Sequence, residues 1–242
     1  MSTNEELTIV IPAKNEERLI GTLLDSICKQ DYERIRSTTI YLANANSTDR
    51  TVERALSYAD TLHIRIIQGG LPAQGRNAGA RMANSKYILF LDADVELGDR
   101  GLIRRGVELM KRRQLDCATT FILSEDTNVL NNLMYLGNCI IQIGSKYSRP
   151  FSPGAFMLFE RQRFNELGGF NVSVLYAEDF FLTKNVNTKR FGIVPGFIRT
   201  TNRRFKQMGH LKFIRLFFRA VANSGNDAFF FEDHQYWAEQ DS

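Results

Sequence analysis

The chain has 242 residues, of which 43% are hydrophobic, which is enough for one sizeable globular domain with a buried core. The formal net charge is +4 and the pI about 9.0, but the basic residues form no long run, so we expect no nucleic-acid partner. Three cysteines without a CxxC pair indicate neither a zinc site nor a disulfide framework. Because we see neither a secretory leader nor an apolar run of about 18 residues, we expect a cytoplasmic protein, either free or at the inner face of a membrane.

Strands and helices alternate through the first half of the chain. Four short apolar runs predict buried strands: LTIVIP, TTIYLA, HIRIIQ and YILFLDADV. We expect a helix capped by Asn15, a second from about Thr48 to Tyr58 capped by Asn46, and a third within segment 69–85, where a glycine-rich loop leads into a helix. The alternation predicts an α/β fold with a mostly parallel central sheet flanked by helices. Ligands of such sheets bind beyond the carboxyl ends of the strands, so this half is predicted to bind a nucleotide.

The second half is less regular. We expect a basic helix from about Arg100 to Arg113, strands at 116–123, 153–160 and 191–200, and a helix at 177–190 that begins with two acids. A basic and apolar helix follows from residue 210. No repeat or linker divides the chain, so we expect one domain with a C-terminal appendage.

Two carboxylates end the fourth predicted strand. Asp92 and Asp94 follow a run of apolar residues, at the edge of the sheet where ligands are expected. Burying either carboxylate without a partner would cost several kcal/mol, roughly. A hard divalent cation such as Mg²⁺ or Mn²⁺, shared with substrate phosphates, would offset that cost.

Two enzyme classes use a metal at such a pair. ILFLDADV resembles the motif of haloacid-dehalogenase-type phosphatases, in which Asp92 would be the nucleophile, but that motif normally opens the fold and more than 80 residues precede it here. The first strand leads into PAKNEE and not GxGxxG, which disfavours a Rossmann dehydrogenase. Four segments together resemble glycosyltransferase family 2, the inverting nucleotide-sugar-dependent enzymes of the GT-A fold. They are TIVIPAKNEE, ANSTDRT, GRNAGARMANSKYILFLDADV and GGFNVSVLYAEDFFL, in that order.

This resemblance implies a site for a nucleoside diphosphate sugar at the carboxyl ends of the first strands. Arg76 matches a position that approaches the nucleotide or its phosphates. Asp94 would be the main ligand of Mn²⁺ or Mg²⁺, with Asp92 near the ribose or the water shell of the metal. The implied nucleotide-binding residues are Pro12, Ala13, Asn15, Glu16, Asn44, Gln74, Arg76, Asp92, Ala93 and Arg204.

Two positions depart from the family pattern. Asn44 and Ala45 stand where the family usually has an aspartate that reads the base, and Lys14 stands where an aromatic residue is common. An amide both donates and accepts hydrogen bonds, whereas a carboxylate only accepts, so the base stays open.

The resemblance places the acceptor chemistry in AEDFF. Asp179 would be the general base and Glu178 the supporting or acceptor-positioning carboxylate, in a single displacement with inversion. Both acids could instead serve only the dipole of the helix that they begin. Arg203 and Arg204 would bind phosphate or form a solvated pair, and His210 would complete the metal shell or be structural.

The expected organisation follows the resemblance, which covers roughly Leu7 to Gly209. We expect a GT-A catalytic domain at 1–209, with a nucleotide-sugar half at 1–98 and an acceptor-side half at 99–209, and a helical appendage at 210–242. The predicted function is metal-dependent sugar transfer to an acceptor hydroxyl on a lipid-linked compound or a glycan. The alternatives are a catalytically silent sugar-nucleotide-binding protein and, third, the phosphatase.

The appendage raises a question of its own. In HLKFIRLFFRAVAN the residues Lys212, Arg215 and Arg219 fall on one helical stripe beside a broad apolar surface. That surface either lies against an anionic membrane or packs on the catalytic domain or a second subunit.

Overall fold

The computed structural model describes residues 5–126, 128–203, 209–232 and 234, with the backbone alone at 210, 211 and 213. Eight strands form one mixed sheet, which confirms the predicted α/β class. The strands are β1 (Leu7–Ala13), β2 (Thr39–Asn44), β3 (His63–Gln68), β4 (Tyr87–Leu91), β5 (Val95–Leu97), β6 (Cys117–Ser124), β7 (Phe156–Glu160) and β8 (Phe191–Thr200).

Nine α-helices lie in the described ranges of the chain. They are α1 (Ile20–Cys28), α2 (Thr51–Leu56), α3 (Pro72–Met82), α4 (Leu102–Arg113), α5 (Val129–Ser145), α6 (Arg161–Glu166), α7 (Glu178–Thr183), α8 (His210–Ala222) and α9 (Ala228–Phe231). Within those ranges, each helix is too short or too polar to cross a membrane.

The strand order is β3-β2-β1-β4-β7-β6-β8-β5. The first four strands in this order run parallel, as the βα alternation predicts, and β7 then pairs antiparallel with both β4 and β6. The carboxyl ends of β1, β2 and β4 therefore meet at one edge of the sheet, where the loops after them come together.

Both faces of the sheet are covered, which explains why the central strands are apolar along their whole length. One face packs against α1 and α4 and the other against α3, α6 and α7. The approach of α3 to β1 requires Gly79, because a Cβ there would lie 2.3 Å from a methyl carbon of Val10. This close packing fixes the position of Arg76 one turn earlier in α3.

Two predicted helix caps are wrong. The helix after β1 begins only at Ile20, and Asn15 lies five residues earlier with a left-handed backbone, φ 54°. Asn46 is also left-handed, and α2 begins at Thr51. The two loops bind each other instead: Asn15 Oδ1 accepts from the backbone N–H of Thr48 at 2.9 Å. The side chain of Asn15 therefore takes part in a contact between two loops that are distant in sequence and does not cap a helix.

Three further elements differ from prediction. The fourth strand ends at Leu91, so the aspartates lie in a connection to the short β5 and not inside a strand. The helix at 177–190 is a single short helix, α7, because a turn intervenes before a 3₁₀ segment at 188–190. The 17-residue α5 was not predicted.

The C-terminal helix α8 packs partly on the rest of the chain. Leu216 is buried in a small cluster with Val174, Tyr176 and Phe230, whereas Phe218 is 62% exposed. One part of its apolar surface is therefore covered and another part is not.

Candidate active site

A large cavity of about 1260 Å³ lies at the carboxyl ends of the parallel strands. Its walls include the loop after β1, the β4–β5 connection, the start of α7 and parts of α5 and α8. Small-molecule sites usually enclose about 300–1,000 Å³, so this cavity has room for more than one ligand.

Arg76 joins the two halves of the cavity. Its side chain is only 3% exposed and forms two ion pairs, each of 2.7 Å, with Asp92 on one side and Glu178 on the other. The two carboxylates hold the pKa of the guanidinium above its usual value against the effect of burial. The aromatic ring of Phe170 lies beside the guanidinium, with its centroid 5.3 Å from the guanidinium carbon. Asp92 and Glu178 lie 86 residues apart in sequence, so the contact exists only in the folded chain.

The acidic pair at the start of α7 is held by backbone. Ala177 precedes it in the left-handed region, φ 52°, which costs an alanine about 1 kcal/mol. This turn directs Glu178 to Arg76, while Asp179 accepts hydrogen bonds from the N–H groups of Gly154 and Phe180, both at 2.7 Å. Strain of this kind persists where neighbouring contacts determine the backbone, often at functional sites.

Burial raises the pKa of Asp179 to about 6, with the charge of Glu178 adding to the rise and Arg76 opposing it. A carboxylate with a pKa near neutrality can take up a proton during a reaction and release it afterwards. Each Asp179 oxygen accepts one backbone N–H and keeps a second lone pair. The carboxylate is thus fixed in orientation and still able to accept a proton.

The connection between β4 and β5, residues 92–94, is called here the aspartate loop. Arg76 binds its first aspartate, Asp92, and Arg203 contacts its second, Asp94. The guanidinium of Arg203 binds both oxygens of Glu16, at 2.6 and 3.0 Å, and approaches Asp94 Oδ2 at 3.4 Å. Burial raises the pKa of Glu16 although Arg203 opposes the rise. Asp94 also accepts from the hydroxyl of Thr201 at 3.3 Å. Asp94 and Glu16 are thus both paired with the positive charge of Arg203.

A sequence profile for the family described as glycosyl transferase family 2 matches residues 8–168. This is well over half of the chain. The chain belongs to glycosyltransferase family 2. Membership decides against the phosphatase hypothesis and confirms the family resemblance, and the matched range contains the first three of the four segments.

Solved structures with the same fold include two glycosyltransferases. The mannosyltransferase PcManGT from Pyrobaculum calidifontis, in complex with GDP-Man and Mn²⁺, superposes with a TM-score of 0.68 at 21% identity, over 87% of this chain and 63% of that one. TarS 1–349 from Staphylococcus aureus, in complex with UDP, gives a TM-score of 0.65 at 17% identity, over 81% of this chain and 60% of that one. These likenesses confirm the GT-A fold.

Curated relatives match over a shorter segment. The poly(ribitol-phosphate) beta-N-acetylglucosaminyltransferase TarS of Staphylococcus aureus is 28% identical over 37% of this chain and 16% of its own length. The 4,4'-diaponeurosporenoate glycosyltransferase of the same species is 35% identical over 38% of this chain and 24% of its own length. The aligned part thus covers less than a third of either relative, and the two names give different acceptors.

Most of the residues predicted for the site line the same cavity in this member of the family. On the donor side these are Pro12, Ala13, Asn15, Glu16, Arg76, Asp92, Ala93 and Asp94, and on the acceptor side Glu178 and Asp179. Asn44 and Gln74 are not brought together with them: Asn44 accepts from the N–H of Ser47, and Gln74 accepts from the N–H of Leu71. Arg204 and the side chain of His210 lie outside the described residues.

Some cavity residues were missed by sequence reasoning. The apolar wall formed by α5 was overlooked, although its leucines and isoleucines repeat at spacings of three and four, a signal of helix. The backbone N–H of Gly154 carries no side-chain signal at all. Arg203 was expected to bind phosphate, and its contacts with Glu16 and Asp94 link parts of the chain that sequence cannot relate.

The residues of the aspartate loop fit a divalent cation. Among the described residues no three His, Cys, Asp or Glu side chains form a ready cluster. Mg²⁺ and similar cations are commonly held by one or two carboxylates together with substrate phosphates, and Asp94 and Asp92 provide such a pair. The Arg203 guanidinium beside Asp94 Oδ2 is consistent with a position that favours positive charge.

Proposed function

We propose that this chain transfers a sugar from a nucleoside diphosphate sugar to an acceptor hydroxyl with inversion at the anomeric carbon. The observation that carries the proposal is the pair of salt bridges from Arg76 to Asp92 and to Glu178. They bring the β4–β5 connection, which contains Asp92 and Asp94, and the acidic pair of α7 into one cavity. Solved structures of the same fold are bound to UDP and to GDP-Man, which supports a sugar-nucleotide donor.

In the proposed reaction Asp179 is the general base. The acceptor oxygen forms a bond to the anomeric carbon while the bond from that carbon to the diphosphate breaks, and the hydroxyl proton passes to Asp179. We choose Asp179 over Glu178 because Glu178 is bound by Arg76 and helps to hold the site. A single displacement of this kind inverts the configuration.

On the donor side Pro12, Ala13, Asn15 and Glu16 are proposed to hold the nucleotide, with Arg76 keeping Asp92 in place. Asn44, Gln74 and Arg204 remain predictions. Asp94, supported by Asp92, would hold a divalent cation, whose chemistry is to neutralise charge on the diphosphate leaving group. The proposed cation is Mn²⁺ or Mg²⁺.

The proposal is tested by thermal unfolding with a panel of UDP, GDP, CDP and dTDP sugars, with and without Mn²⁺. A ligand at 100 times its Kd stabilises by about 2.7 kcal/mol, or about 5–10 °C for a chain of this size. We expect one base to give this shift and Asp94→Asn to lose the part that depends on Mn²⁺. Glu96→Gln, two residues further along and outside the cavity lining, is the matched control.

If no sugar nucleotide raises the unfolding temperature, the donor assignment fails. If one does so but no hexose is released or transferred under any metal condition, the chain is a silent sugar-nucleotide-binding protein. The two alternatives from the sequence are thereby separated.

We also propose a peripheral contact between α8 and an anionic membrane at the inner face. Phe218 and Val221 are 62% and 44% exposed, and Lys212, Arg215 and Arg219 are exposed beside them. Apolar side chains next to a basic stripe are typical of helices that lie in a membrane interface.

A further inference from the structure

Helix α5 has the reverse of the usual amphipathic pattern. Its 17 residues include no Asp, Glu, Lys or Arg. The side chains buried against the sheet are polar or small, whereas Leu136, Ile140 and Ile143 are 48–62% exposed. A helix on a globular core normally directs its apolar side chains inwards. Here Gln142 fixes the helix by donating to the carbonyl of Thr120 at 3.1 Å, and other apolar residues of the helix, such as Met134 and Ile141, line the cavity.

A groove runs between α5 and α8 and is continuous with the catalytic cavity. On the α5 side its wall is formed by Met134, Gly137, Ile141 and Gly144, and on the α8 side by Ile214, Phe217, Phe218 and Val221. The same cavity contains Asp92 and Asp179. A ligand in the groove would therefore reach the proposed reaction centre without leaving the cavity.

The two glycines keep the groove open. A Cβ atom built at Gly137 or Gly144 would meet no atom within 4 Å. Glycine in the interior of a helix is destabilising relative to alanine, and Gly137 and Gly144, seven residues apart, lie on one face of α5. Larger side chains at these positions would project into open space in the groove and not into the protein.

The chemistry of these walls selects an apolar occupant. These eight wall residues have no charged or hydrogen-bonding side chain. The lining from the same two helices and the turns after them also includes Tyr135, Asn138, Ser145, Ser148, Ser224 and the exposed Arg149, so the walls are mostly but not wholly apolar. The hydroxyls of a glycan would lose hydrogen bonds to water along such walls. A hydrocarbon chain would gain, because each methylene removed from water tightens binding by about fourfold.

We propose that the groove between α5 and α8 binds the hydrocarbon chain of an amphiphilic acceptor, whose hydroxyl lies at Asp179. The role of the hydroxyl rests on the proposed function, whereas the affinity of the groove for an alkyl chain does not. The inference names the acceptor class as a long-chain alcohol or a lipid-linked hydroxyl compound, and it excludes a free glycan as the preferred acceptor.

The test uses the full chain and a fluorescent alkyl probe, 11-(dansylamino)undecanoic acid. We expect the probe to bind with enhanced fluorescence and to be displaced by octanol, decanol and dodecanol. Their affinities should rise by about fourfold per methylene until the groove is filled. Gly137→Trp should weaken probe binding at least about tenfold, since the indole would occupy the groove.

Matched controls separate the groove from the outer surface of the same helix. Asn132→Trp introduces the same side chain on an exposed position outside the cavity lining, and Ile140→Ser removes an exposed apolar side chain outside it. Both should bind the probe as wild type does. Gly144→Trp repeats the block at a second position if Gly137→Trp does not fold, as judged by circular dichroism.

Unchanged probe binding in both glycine variants, or its loss in Ile140→Ser alone, would overturn the groove as the site. Donor-induced thermal shifts are measured on the same variants. If the wild-type chain binds the donor but not the alkyl probe, this inference alone is defeated. Alkyl binding without any donor binding defeats the proposed glycosyl transfer alone.

Discussion

The proposed donor side and the proposed acceptor side of the cavity differ in where their apolar and charged residues lie. Around β1, β2 and β4 the apolar residues are buried, and the charged groups are held in place by ion pairs such as that of Arg76 with Asp92. Around α5 and α8 many apolar residues face the cavity or the solvent, and the basic residues of α8 (Lys212, Arg215 and Arg219) lie on an exposed stripe. The contrast indicates a preformed site for a charged, polar ligand beside a surface suited to an apolar one.

The acidic pair of α7 lies where these two regions meet. Glu178 is tied to the donor side through Arg76, and Asp179 is tied to the acceptor side through the N–H of Gly154. Most of the variants that follow change residues on one side of the cavity, and the measurement shows whether the other side keeps its properties.

The largest expected effect is on turnover. Asp179→Asn should reduce the transfer rate by about 10²–10⁴-fold, the usual contribution of a general base, and leave donor affinity unchanged. Rates from single-turnover transfer and donor affinity from calorimetry are measured separately. Retained turnover would place the base elsewhere, and a parallel loss of donor affinity would mean that the two sides are not separable.

Arg76→Met breaks the link between the two sides. Removing one partner of a buried ion pair destabilises by about 3–5 kcal/mol, and here two carboxylates lose their partner. Urea unfolding followed by fluorescence gives the change. Arg104→Met is the matched control, since Arg104 also joins two carboxylates, Asp31 and Glu108, but on the surface. Equal unfolding midpoints for the two variants would show that the bridge adds no stability.

The pH dependence of transfer follows from the raised pKa of Asp179. A base acts when deprotonated, so kcat/KM should be highest above about pH 6 and fall about tenfold per unit below it. The residual activity of Asp179→Asn should lack this inflection. A wild-type profile that is flat between pH 5 and about pH 8 would argue against Asp179 as the base.

The same group also affects stability, with the opposite sign. Because folding raises the pKa of Asp179, its contribution is fully present below the unfolded value of 3.8 and is lost as the pH rises through about 6. Asp179→Asn should therefore gain stability relative to wild type at pH 8 and not at about pH 3, as measured by urea unfolding.

The smallest expected effect concerns the membrane contact. Sedimentation with anionic liposomes at low salt should exceed that with neutral liposomes by several-fold, and high salt should remove the difference. Replacing Lys212, Arg215 and Arg219 with alanine should have the same effect as salt. Equal sedimentation with both kinds of liposome would argue against the membrane contact and favour packing of α8 on protein.

The sequence alone was sufficient for the fold class, and most of the proposed donor-side residues that it named line one cavity. Short apolar runs at the four parallel strands and the ordered segments from PAKNEE to AEDFF carry that information locally, because a buried strand must be apolar and a strand end must place its polar groups at the sheet edge. Asp92, Asp94, Glu178 and Asp179 could therefore be chosen before any contact was known.

Only the tertiary structure decided how those residues are held and what lies opposite them. The bridge from Asp92 through Arg76 to Glu178, the loop contact of Asn15 with Thr48 and the Gly154 N–H at Asp179 all join residues far apart in the chain. The exposure of side chains is also decided by the tertiary structure. The apolar spacing in α5 predicts a helix with its leucines buried, but Gln142 binds the carbonyl of Thr120 in β6 and the leucines of the helix are exposed. Periodicity specifies which side chains share a face of a helix, and packing against the rest of the molecule determines which face is covered.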